Sequence, residues 1–371
     1  MDACRTSIIL NQTVVPDYRL PLFAALRQRY GPRLTVTCGA SSPTSGLRSC
    51  DRAIEIARLR KNVAILGRQL LWQTGVVEDA RRTPLLITEF NMRAASTWAA
   101  LAERHAQGLP TVLWGHARGR NRALDPLRRW MLRRAEGFIA YTDSQAEAIR
   151  RECPWLSVRT APNAVIWMRD CYSLAGAEGS AWDVLFVGRL IAAKKPLLAL
   201  HAFADAATRL PRHARLVFVG AGPEATRLES EAIRLGLQGR VHLHGHEADL
   251  ESLRRIYGQA VVSVSPGYVG LSATQSFAFG VPMLVADGEP HSPEIEACVE
   301  GVSARFFASD SPAALASLLV DSFERRDAIL RGRKSLAAWT AERYSLDRMM
   351  QTFESMIDEF LMAPVSPSLT P

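Results

Sequence analysis

The sequence predicts an α/β protein with two doubly wound parallel sheets, and three observations support this prediction. The chain has 371 residues, more than one hydrophobic core usually supports, so two domains are expected. Short apolar runs that are typical of buried parallel strands alternate with helical segments. Many of these runs end on glycine or on polar residues, as loops at the carboxyl ends of parallel strands do.

The predicted boundaries place an N-terminal domain at residues 1–165, a linker at 166–181 and a C-terminal domain at 182–340. The linker is predicted because its residues show no clean hydrophobic period and include Gly176 and Gly179. A last helix is predicted over residues 341–362. The Pro- and Ser-rich tail, residues 363–371, is predicted to be disordered.

Composition restricts the class of protein and its partners. Hydrophobic residues make up 48% and charged residues 22%, which is ordinary for a globular protein. The six cysteines show no paired or metal-like spacing, so reduced thiols in a cytoplasmic protein are expected. Neither a membrane-spanning segment nor a secretory leader is expected. A net charge of +8 favours an anionic partner such as a nucleoside diphosphate or an anionic lipid, and no nucleic-acid motif accompanies it.

In the N-terminal half, strands are predicted at residues 7–13, 34–37, 85–88, 111–114 and 138–142, with helices at 21–30, 92–105 and 146–151. Strand, helix and strand in this order form a parallel sheet covered on both faces. Ligands then bind outside the carboxyl ends of the strands. The candidate residues at those ends are Asn11, Gln12, Asp17, Tyr18, Arg19, Glu89, Phe90, Asn91, His116 and Asp143.

Two of these candidates have two interpretations each. His116 directly follows Gly115 at a strand end, where it either contacts a ligand or is a loop histidine satisfied by backbone groups. Arg19, at the start of the first helix, either reaches a phosphate or carboxylate of a ligand or is an ordinary surface arginine.

Residues 118–134, here called the basic segment, combine many arginines with apolar residues. This composition is typical of an interfacial contact with an anionic membrane. The alternative is a solvated helix with an apolar underside. The arginines of the basic segment are Arg118, Arg120, Arg122, Arg128, Arg129, Arg133 and Arg134.

The C-terminal domain is predicted to start with a buried strand at residues 182–187, which ends at Gly188 and Arg189. Lys194 and Lys195 follow, just before a helix predicted over residues 197–208. Arginine and lysine at a strand end suit an anionic ligand, because a guanidinium offers a planar fork and an ammonium a point charge. The alternative is a pair of surface cations. Further strands are predicted at residues 215–219, 241–243, 260–264 and 282–286.

The stretch of residues 265–294 contains a glycine-lined loop that leads into a helix. Gly267 and Gly270 line the loop, Ser272 is the predicted N-cap and Gly280 the predicted C-cap. Unpaired backbone N–H groups and the helix dipole make such a place an anion site. The alternative interpretation is an ordinary strand-turn-helix crossover.

This stretch resembles the donor-binding segment of retaining, nucleotide-sugar-dependent glycosyltransferases of the GT-B type. The branch is the one that includes bacterial lipopolysaccharide, capsule and exopolysaccharide transferases. The family pattern is Glu-Gly-Phe-Gly-Leu, a second Glu eight residues after the first, and Gly-x-Pro. Residues 270–271 and 280–282 match the pattern in register, but Gly267 stands at the first Glu and Gln275 at the second.

Other motifs extend the resemblance along the chain. Residues 162–165 are similar to the Pro-Asn-Gly-Val motif that ends the family's first domain. Residues 188–190, with a lysine soon after, are similar to the motif that binds the donor diphosphate. Residues 220–223 match the Gly-x-Gly-Pro turn, Gly245 and His246 stand where the family contacts the nucleotide base, and Glu294 stands near a further family glutamate.

The resemblance implies a GT-B fold, in which two Rossmann-like domains face a cleft and the last helix crosses back to the first domain. The nucleotide sugar would bind the second domain and a saccharide or lipid-linked acceptor the first, with no metal or other cofactor. The implied catalytic residues are His116, Arg189 and Lys195. The implied donor-site residues are Gly188, Arg189, Lys194, Lys195, Gly222, Gly245, His246, Gly267, Tyr268, Val269, Gly270, Leu271, Ser272, Gln275 and Glu294. The implied acceptor-side residues are Asp17, Tyr18, Arg19, Asn91 and His116.

The implied function is a retaining hexosyl- or N-acetylhexosaminyl-type transferase of cell-surface polysaccharide biosynthesis, cytoplasmic and peripheral on the inner face of the plasma membrane. Two alternatives are a GT-B sugar-nucleotide epimerase, which needs no acceptor, and a non-catalytic nucleotide-sugar-binding protein. Because Gly267 has no side chain, we also hypothesise that it makes room for a bulkier donor sugar, and that the backbone N–H groups of residues 268–271 recognise the donor.

Overall fold

The computed structural model describes residues 7–45, 47–117, 122–174 and 181–362. The chain divides into two units, the first formed by residues 1–162 and 346–371 and the second by residues 163–345. Several parts of the sequence predictions lie outside the described residues: Arg118 and Arg120 of the basic segment, residues 175–180 of the predicted linker, and the predicted tail, 363–371. Within the described ranges, no helix has both the length and the apolar character that a membrane span requires.

The first unit is organised around a seven-stranded parallel sheet. Numbered along the chain, the strands of this unit are β1 (Ile8–Asn11), β2 (Leu34–Gly39), β3 (Ala57–Arg60), β4 (Asn62–Ile65), β5 (Leu70–Gln73), β6 (Leu85–Glu89), β7 (Thr111–Gly115), β8 (Gly137–Ala140) and β9 (Ser157–Thr160). The sheet order is β3-β2-β1-β6-β7-β8-β9, and β4 and β5 pair separately as an antiparallel hairpin.

Burial explains which strands of the first unit are central. Every residue of β1 and β7 is buried, so both strands need neighbours on each side. In β1, Ile8 lies opposite Leu34 of β2 and opposite Leu85 of β6. The edge strand β3 is exposed at Arg58 and Leu59, and this absence of a buried run explains why the sequence did not predict it.

Helices cover both faces of this sheet. They are α1 (Leu20–Tyr30), α2 (Ala53–Ile56), α3 (Val76–Arg82), α4 (Ala95–Ala106), α5 (Asp125–Leu132) and α6 (Asp143–Glu152). Helix α6 starts directly after Thr142, whose hydroxyl accepts a hydrogen bond from the Gln145 N–H at 3.2 Å. This N-cap stabilises a helix start three residues earlier than the apolar pattern predicted.

The second unit contains a six-stranded parallel sheet. Its strands are β10 (Asp183–Val187), β11 (Arg215–Val219), β12 (Val241–Gly245), β13 (Ala260–Ser265), β14 (Met283–Asp287) and β15 (Ala304–Ala308). The order is β12-β11-β10-β13-β14-β15. The chain therefore winds outward in one direction from β10 and in the other from β13, which is the doubly wound arrangement. Ligands of such sheets bind at the carboxyl ends of the two strands where the direction switches.

The helices of the second unit are α7 (Met168–Leu174), α8 (Pro196–Ala206), α9 (Ala225–Arg234), α10 (Leu250–Gly258), α11 (Ser272–Ala278), α12 (Pro312–Glu324) and α13 (Arg326–Tyr344). Helix α7 lies within the predicted linker, where the buried Cys171 packs into a core cluster with Leu253 and Phe279. The stretch before residue 175 is therefore part of the second unit's core as well as a connection.

The last helix, α14 (Leu346–Met362), belongs to the first unit. Its Phe353 ring contacts the Trp114 ring of β7 edge to face at 4.8 Å. Its Thr352 hydroxyl donates to the Thr160 carbonyl at 2.7 Å, and its Glu359 forms an ion pair with Arg159 at 2.7 Å. The two parallel sheets and the helical C-terminus confirm the predicted fold class.

Candidate functional site

The carboxyl ends of β10, β11 and β12 come close together because glycines follow β10 and β11. A Cβ atom at Gly220 would lie 1.9 Å from the Gly188 carbonyl oxygen, and a Cβ at Gly222 would lie 2.2 Å from the Leu190 carbonyl oxygen. Both residues must therefore lack a side chain. The backbones of the loops after β10 and β11 are joined by hydrogen bonds such as Gly188 N–H to Val219 O at 2.9 Å. Gly222, a predicted donor-site residue, thus shapes the loop by close backbone contact.

Two cations meet beside the loop that follows β13. An Arg189 Nη2 donates to the Tyr268 hydroxyl at 2.9 Å. The Lys194 ammonium donates to the Tyr268 carbonyl oxygen at 2.7 Å and lies 3.6 Å from the centre of the Tyr268 ring. The pKa of Lys194 is lowered to about 8, by burial first and then by the Arg189 charge, while the charge of Glu294 opposes both effects. The structure thus brings together three predicted donor-site residues at the switch point of the sheet.

Lys195 points elsewhere. Its backbone has a φ of +51°, so its side chain leaves the loop in a different direction from that of Lys194. The Lys195 ammonium contacts Glu289 at 2.5 Å and Asp310 at 2.7 Å. Its charge is balanced by these two carboxylates, and the geometry favours Lys194 over Lys195 as the lysine that is available to a phosphate. The catalytic role assigned to Lys195 stays a prediction.

Gly267 provides a close approach between two loops. A Cβ atom at this position would lie 2.4 Å from the Ala193 carbonyl oxygen and 2.8 Å from the Lys194 Cα. The space is filled by the backbone that carries Lys194. The missing side chain thus accommodates the protein's own loop, and the hypothesis that Gly267 makes room for a bulkier sugar stays a prediction that this contact does not support.

The loop after β13 is tied to the loop after β14. The Val269 N–H donates to Nδ1 of His291 at 3.0 Å, and the Ser292 N–H donates to the Val269 carbonyl at 3.2 Å. Burial lowers the pKa of His291, although nearby groups of the protein partly oppose this lowering. A neutral imidazole is the form that accepts the hydrogen bond from the Val269 N–H. The Val269 N–H is thus already engaged by His291, which the sequence analysis did not single out.

The prediction that Ser272 is the N-cap is wrong, since α11 begins at Ser272 and the preceding Leu271 makes no side-chain cap.

Glu294 is a buried carboxylate at the edge of this cluster. Its side chain is 7% exposed. One oxygen accepts a hydrogen bond from Asn163 at 2.8 Å, and within the described residues the other oxygen is buried without a hydrogen-bond partner. Its negative charge favours the protonated form of Lys194. Glu294 therefore helps to keep a charged lysine in a partly buried position.

Gln275 and His246 lie in different surroundings. The buried Tyr257 donates its hydroxyl to the Gln275 Oε1 at 3.3 Å and stacks on the Phe279 ring at 4.4 Å. This bond orients the Gln275 amide so that its nitrogen can act as a donor. His246 is exposed after β12, where Gly245 has a φ of +86°. Gln275 is thus fixed by the protein, whereas His246 lies at the surface.

In the first unit, Arg19 lies in a cage of aromatic rings. It is 5% exposed, so the surface-arginine interpretation is wrong. Its guanidinium carbon lies 4.1 Å from the Trp114 ring centre, and its Nη2 donates to the Tyr141 hydroxyl at 3.1 Å. The His116 ring packs against Tyr141 at 4.8 Å, and Tyr18 lies 5.2 Å from the Arg19 guanidinium. The structure therefore brings together Tyr18, Arg19 and His116, and adds Trp114 and Tyr141, which the sequence analysis did not name as site residues.

The other two acceptor-side candidates have different neighbours. Asn91 donates to the Thr13 hydroxyl at 3.3 Å, next to Glu89, which accepts from the Thr13 N–H at 2.9 Å. Asp17 lies beside Cys50, where burial first and then the Asp17 charge raise the pKa of the thiol. Neither contact links Asn91 or Asp17 to Arg19.

The described part of the basic segment is divided between interior and surface. Arg128 is 4% exposed and forms ion pairs with Glu152 and, at 3.5 Å, with Asp125. Arg129 and Arg133 are exposed, and the Arg134 guanidinium lies 4.1 Å from the Trp130 ring centre. Arg122 belongs to a short 3₁₀ helix, but its side chain lies outside the description.

Residues 176–335 match the family described as glycosyl transferases group 1. No curated protein matches the chain by sequence. Among solved structures, the chain is similar to Anabaena Alr3699/HepE in complex with UDP, with 16% identity, a TM-score of 0.68, and coverage of 95% of this chain and 100% of that one.

Two further solved structures are similar. The glycosyltransferase from Rickettsia africae ESF-5 has 12% identity and a TM-score of 0.72, over 97% of this chain and 100% of that one. The pneumococcal O-GlcNAc transferase GtfA, in complex with UDP and GlcNAc, has 11% identity and a TM-score of 0.66, over 97% of this chain and 100% of that one. At these identities the likeness shows the fold, which is GT-B, and the match to the group 1 family falls within residues 176–335.

Proposed function

We propose that this chain is a retaining glycosyltransferase that moves a hexosyl or N-acetylhexosaminyl group from a nucleoside diphosphate sugar to a saccharide or lipid-linked acceptor in cell-surface polysaccharide biosynthesis. The observation that carries the proposal is the meeting of Arg189 and Lys194 at the sheet's switch point, within a group 1 domain. Two fixed cations at this place suit a diphosphate better than they suit a neutral ligand.

The chemistry follows from where negative charge develops. When the bond between the sugar and the diphosphate breaks, the leaving phosphate gains charge, and preorganised cations lower the barrier by stabilising it. Arg189 supplies a planar fork and Lys194 a compact ammonium. We assign this role to Lys194 rather than Lys195, since Lys195 is paired with two carboxylates. Because these side chains supply the positive charge, the proposal includes no metal and no other cofactor.

The retaining course is proposed from the family resemblance. In that mechanism the leaving phosphate accepts the proton of the acceptor hydroxyl on the same face of the sugar, so a pair of catalytic carboxylates is not needed. The acceptor is proposed to bind the first unit near Arg19, Tyr141 and His116, where a guanidinium and aromatic rings suit a saccharide with an anionic group.

The similar structures guide the choice of donor. HepE was solved with UDP and, in another structure, with UDP-glucose, and GtfA was solved with UDP and GlcNAc. These ligands support testing UDP-glucose and UDP-N-acetylglucosamine first. Sugar transfer to an acceptor supports the proposal. Conversion of the donor without any acceptor would indicate an epimerase, and binding without turnover would indicate a non-catalytic protein.

The two neighbouring lysines provide a direct test of the site. We expect Arg189→Ala and Lys194→Ala each to lower turnover about a hundredfold or more. Lys195→Gly should lower it less than about tenfold, because glycine tolerates the left-handed backbone and the removed charge was already paired. The measurement is initial-rate transfer with thermal unfolding of each variant, and exposed Lys334→Ala is the matched control. A larger loss in Lys195→Gly than in Lys194→Ala would reverse the assignment.

A further inference from the structure

Tyr268 contacts both cations of the proposed phosphate site. Its hydroxyl oxygen accepts from Arg189 at 2.9 Å, and its carbonyl oxygen accepts from Lys194 at 2.7 Å. Its ring also lies 3.6 Å from the Lys194 ammonium. One residue therefore contacts two side chains that carry the same charge.

Such an arrangement needs a stabilising group, because like charges repel. The Arg189 charge makes protonation of Lys194 less favourable, as burial does. An aromatic face attracts an ammonium, and a phenol oxygen accepts from a guanidinium while keeping its own proton. Tyr268 thus stabilises both cations without adding a negative charge, which would compete with a diphosphate for them.

The neighbouring glycine makes this contact geometry feasible. Gly267 has no Cβ, and its place is taken by the Ala193 carbonyl oxygen, which would lie 2.4 Å from such an atom. The backbone of Lys194 therefore passes directly against the loop that carries Tyr268. A side chain at residue 267 would move Lys194 away from the Tyr268 ring.

We propose that Tyr268 is a positioning residue that holds Arg189 and Lys194 in place for the diphosphate of the donor, through its hydroxyl and its ring respectively. The proposal rests on the proposed function of this site. Its consequence is that the Tyr268 hydroxyl affects phosphate binding only through Arg189, and leaves the binding of the nucleoside part unchanged.

The test is a double-mutant cycle on nucleotide affinity. Calorimetry of wild type with UDP, GDP and ADP first identifies the nucleotide that binds. We expect Tyr268→Phe to weaken the binding of that diphosphate about fivefold, the effect of one lost hydrogen bond, and to leave the affinity for the corresponding nucleoside unchanged. Tyr268→Leu, which also lacks the ring, should weaken it further. In an Arg189→Ala background, Tyr268→Phe should have no further effect.

The outcomes that would overturn this inference, or the proposed function with it, are as follows. Equal losses from Tyr268→Phe with and without Arg189 would overturn the inference, as would an equal loss for the nucleoside. Tighter diphosphate binding in Tyr268→Phe would show that the side chain competes with the phosphates, and would overturn it as well. Tyr344→Phe is the matched control, since its hydroxyl donates to the Glu296 carbonyl at 3.3 Å within the same unit. If wild type binds none of the three diphosphates, the proposed function is rejected together with this inference.

Discussion

At the scale of single residues, the burial of Lys194 makes both stability and the proposed function depend on pH. Its pKa is lowered to about 8, by burial first and then by the Arg189 charge. The charged form costs stability relative to the unfolded chain, and this cost is fully present below about pH 8 and disappears as the pH rises toward the ordinary lysine value of 10.5. The proposed function has the opposite dependence, since only the ammonium form of Lys194 could stabilise a leaving phosphate.

We therefore expect kcat/KM for the donor to fall as the pH rises through about 8, because free Lys194 loses its proton there. The arginine of Lys194→Arg remains charged in this range, so in that variant the fall should move to markedly higher pH. The measurement is kcat/KM between about pH 6 and about pH 10 at saturating acceptor. An unchanged profile in Lys194→Arg would show that another group causes the fall.

Gly267 leads to a second prediction at this scale. Even an alanine would place a Cβ 2.4 Å from the Ala193 carbonyl oxygen, so Gly267→Ala should displace the loop that carries Lys194. We expect at least about a tenfold loss of activity, since a misplacement of about 1 Å is costly in catalysis. Gly267→Glu should be no better.

The control for this change is Gly239→Ala in the same unit, where nothing lies within 4 Å of the added Cβ. Transfer rates and thermal unfolding of both variants provide the comparison. Full activity in Gly267→Ala would mean that the two loops can separate without consequence, and would remove the geometric argument.

The sequence identified the cationic residues of this loop but not the directions of their side chains. Lys194 and Lys195 are neighbours of identical type, and the backbone turn at Lys195 that separates them depends on tertiary contacts. Arg19 illustrates the same limit. Its cage comes from residues about a hundred positions away, Trp114 and Tyr141, so no local pattern could show that it is buried.

At the scale of elements, prediction succeeded where burial was continuous. The strands β10, β11, β13 and β14 are apolar runs, and each was predicted within one or two residues. The missed strands are short and largely half-buried or exposed; they are β3, β4, β5, β9 and β15. Helix α5 was difficult for a different reason. Its sequence is rich in arginine, and the sequence alone does not show which arginine faces inward.

Helix α5 therefore changes the design of a membrane test. Arg128 is paired with Glu152 inside the unit, so reversing its charge would disturb the fold. Arg129 and Arg133 are exposed. If the proposed contact with an anionic membrane surface exists, Arg129→Glu with Arg133→Glu should weaken binding to phosphatidylserine-containing vesicles at low salt, with less difference at high salt.

Vesicle co-sedimentation at several salt concentrations measures this effect. The charge-matched control is Arg209→Glu with Arg212→Glu, two exposed arginines of the second unit. An equal loss in both double variants would indicate a general effect of net charge, and no loss in either would remove α5 from the membrane hypothesis.

At the scale of the whole molecule, both sheets follow the doubly wound order, and the alternation of strands and helices predicted this correctly. The point at which the chain returns to the first unit was predicted less well. The last helix was predicted from residue 341, whereas the return occurs at Leu346, after α13 has packed in the second unit.

This return leads to a prediction about stability. Phe353 of α14 is fully buried against Trp114, so Phe353→Ala should destabilise the first unit by about 3–5 kcal/mol. The second unit should keep its own unfolding transition. Differential scanning calorimetry with and without a bound nucleoside diphosphate separates the two transitions, and exposed Gln351→Ala on the same helix is the control. A lowered transition for the second unit alone would contradict the assignment of α14.

The division of the chain also has a consequence for modular exchange. The second unit is one uninterrupted segment, residues 163–345, whereas the first unit needs a segment from each side of it. If the donor binds the second unit and the acceptor the first, as proposed, a chimera with a new donor preference requires one cassette with two junctions. A new acceptor preference then requires both flanking segments to come from the same parent, since α14 must match the sheet on which it packs.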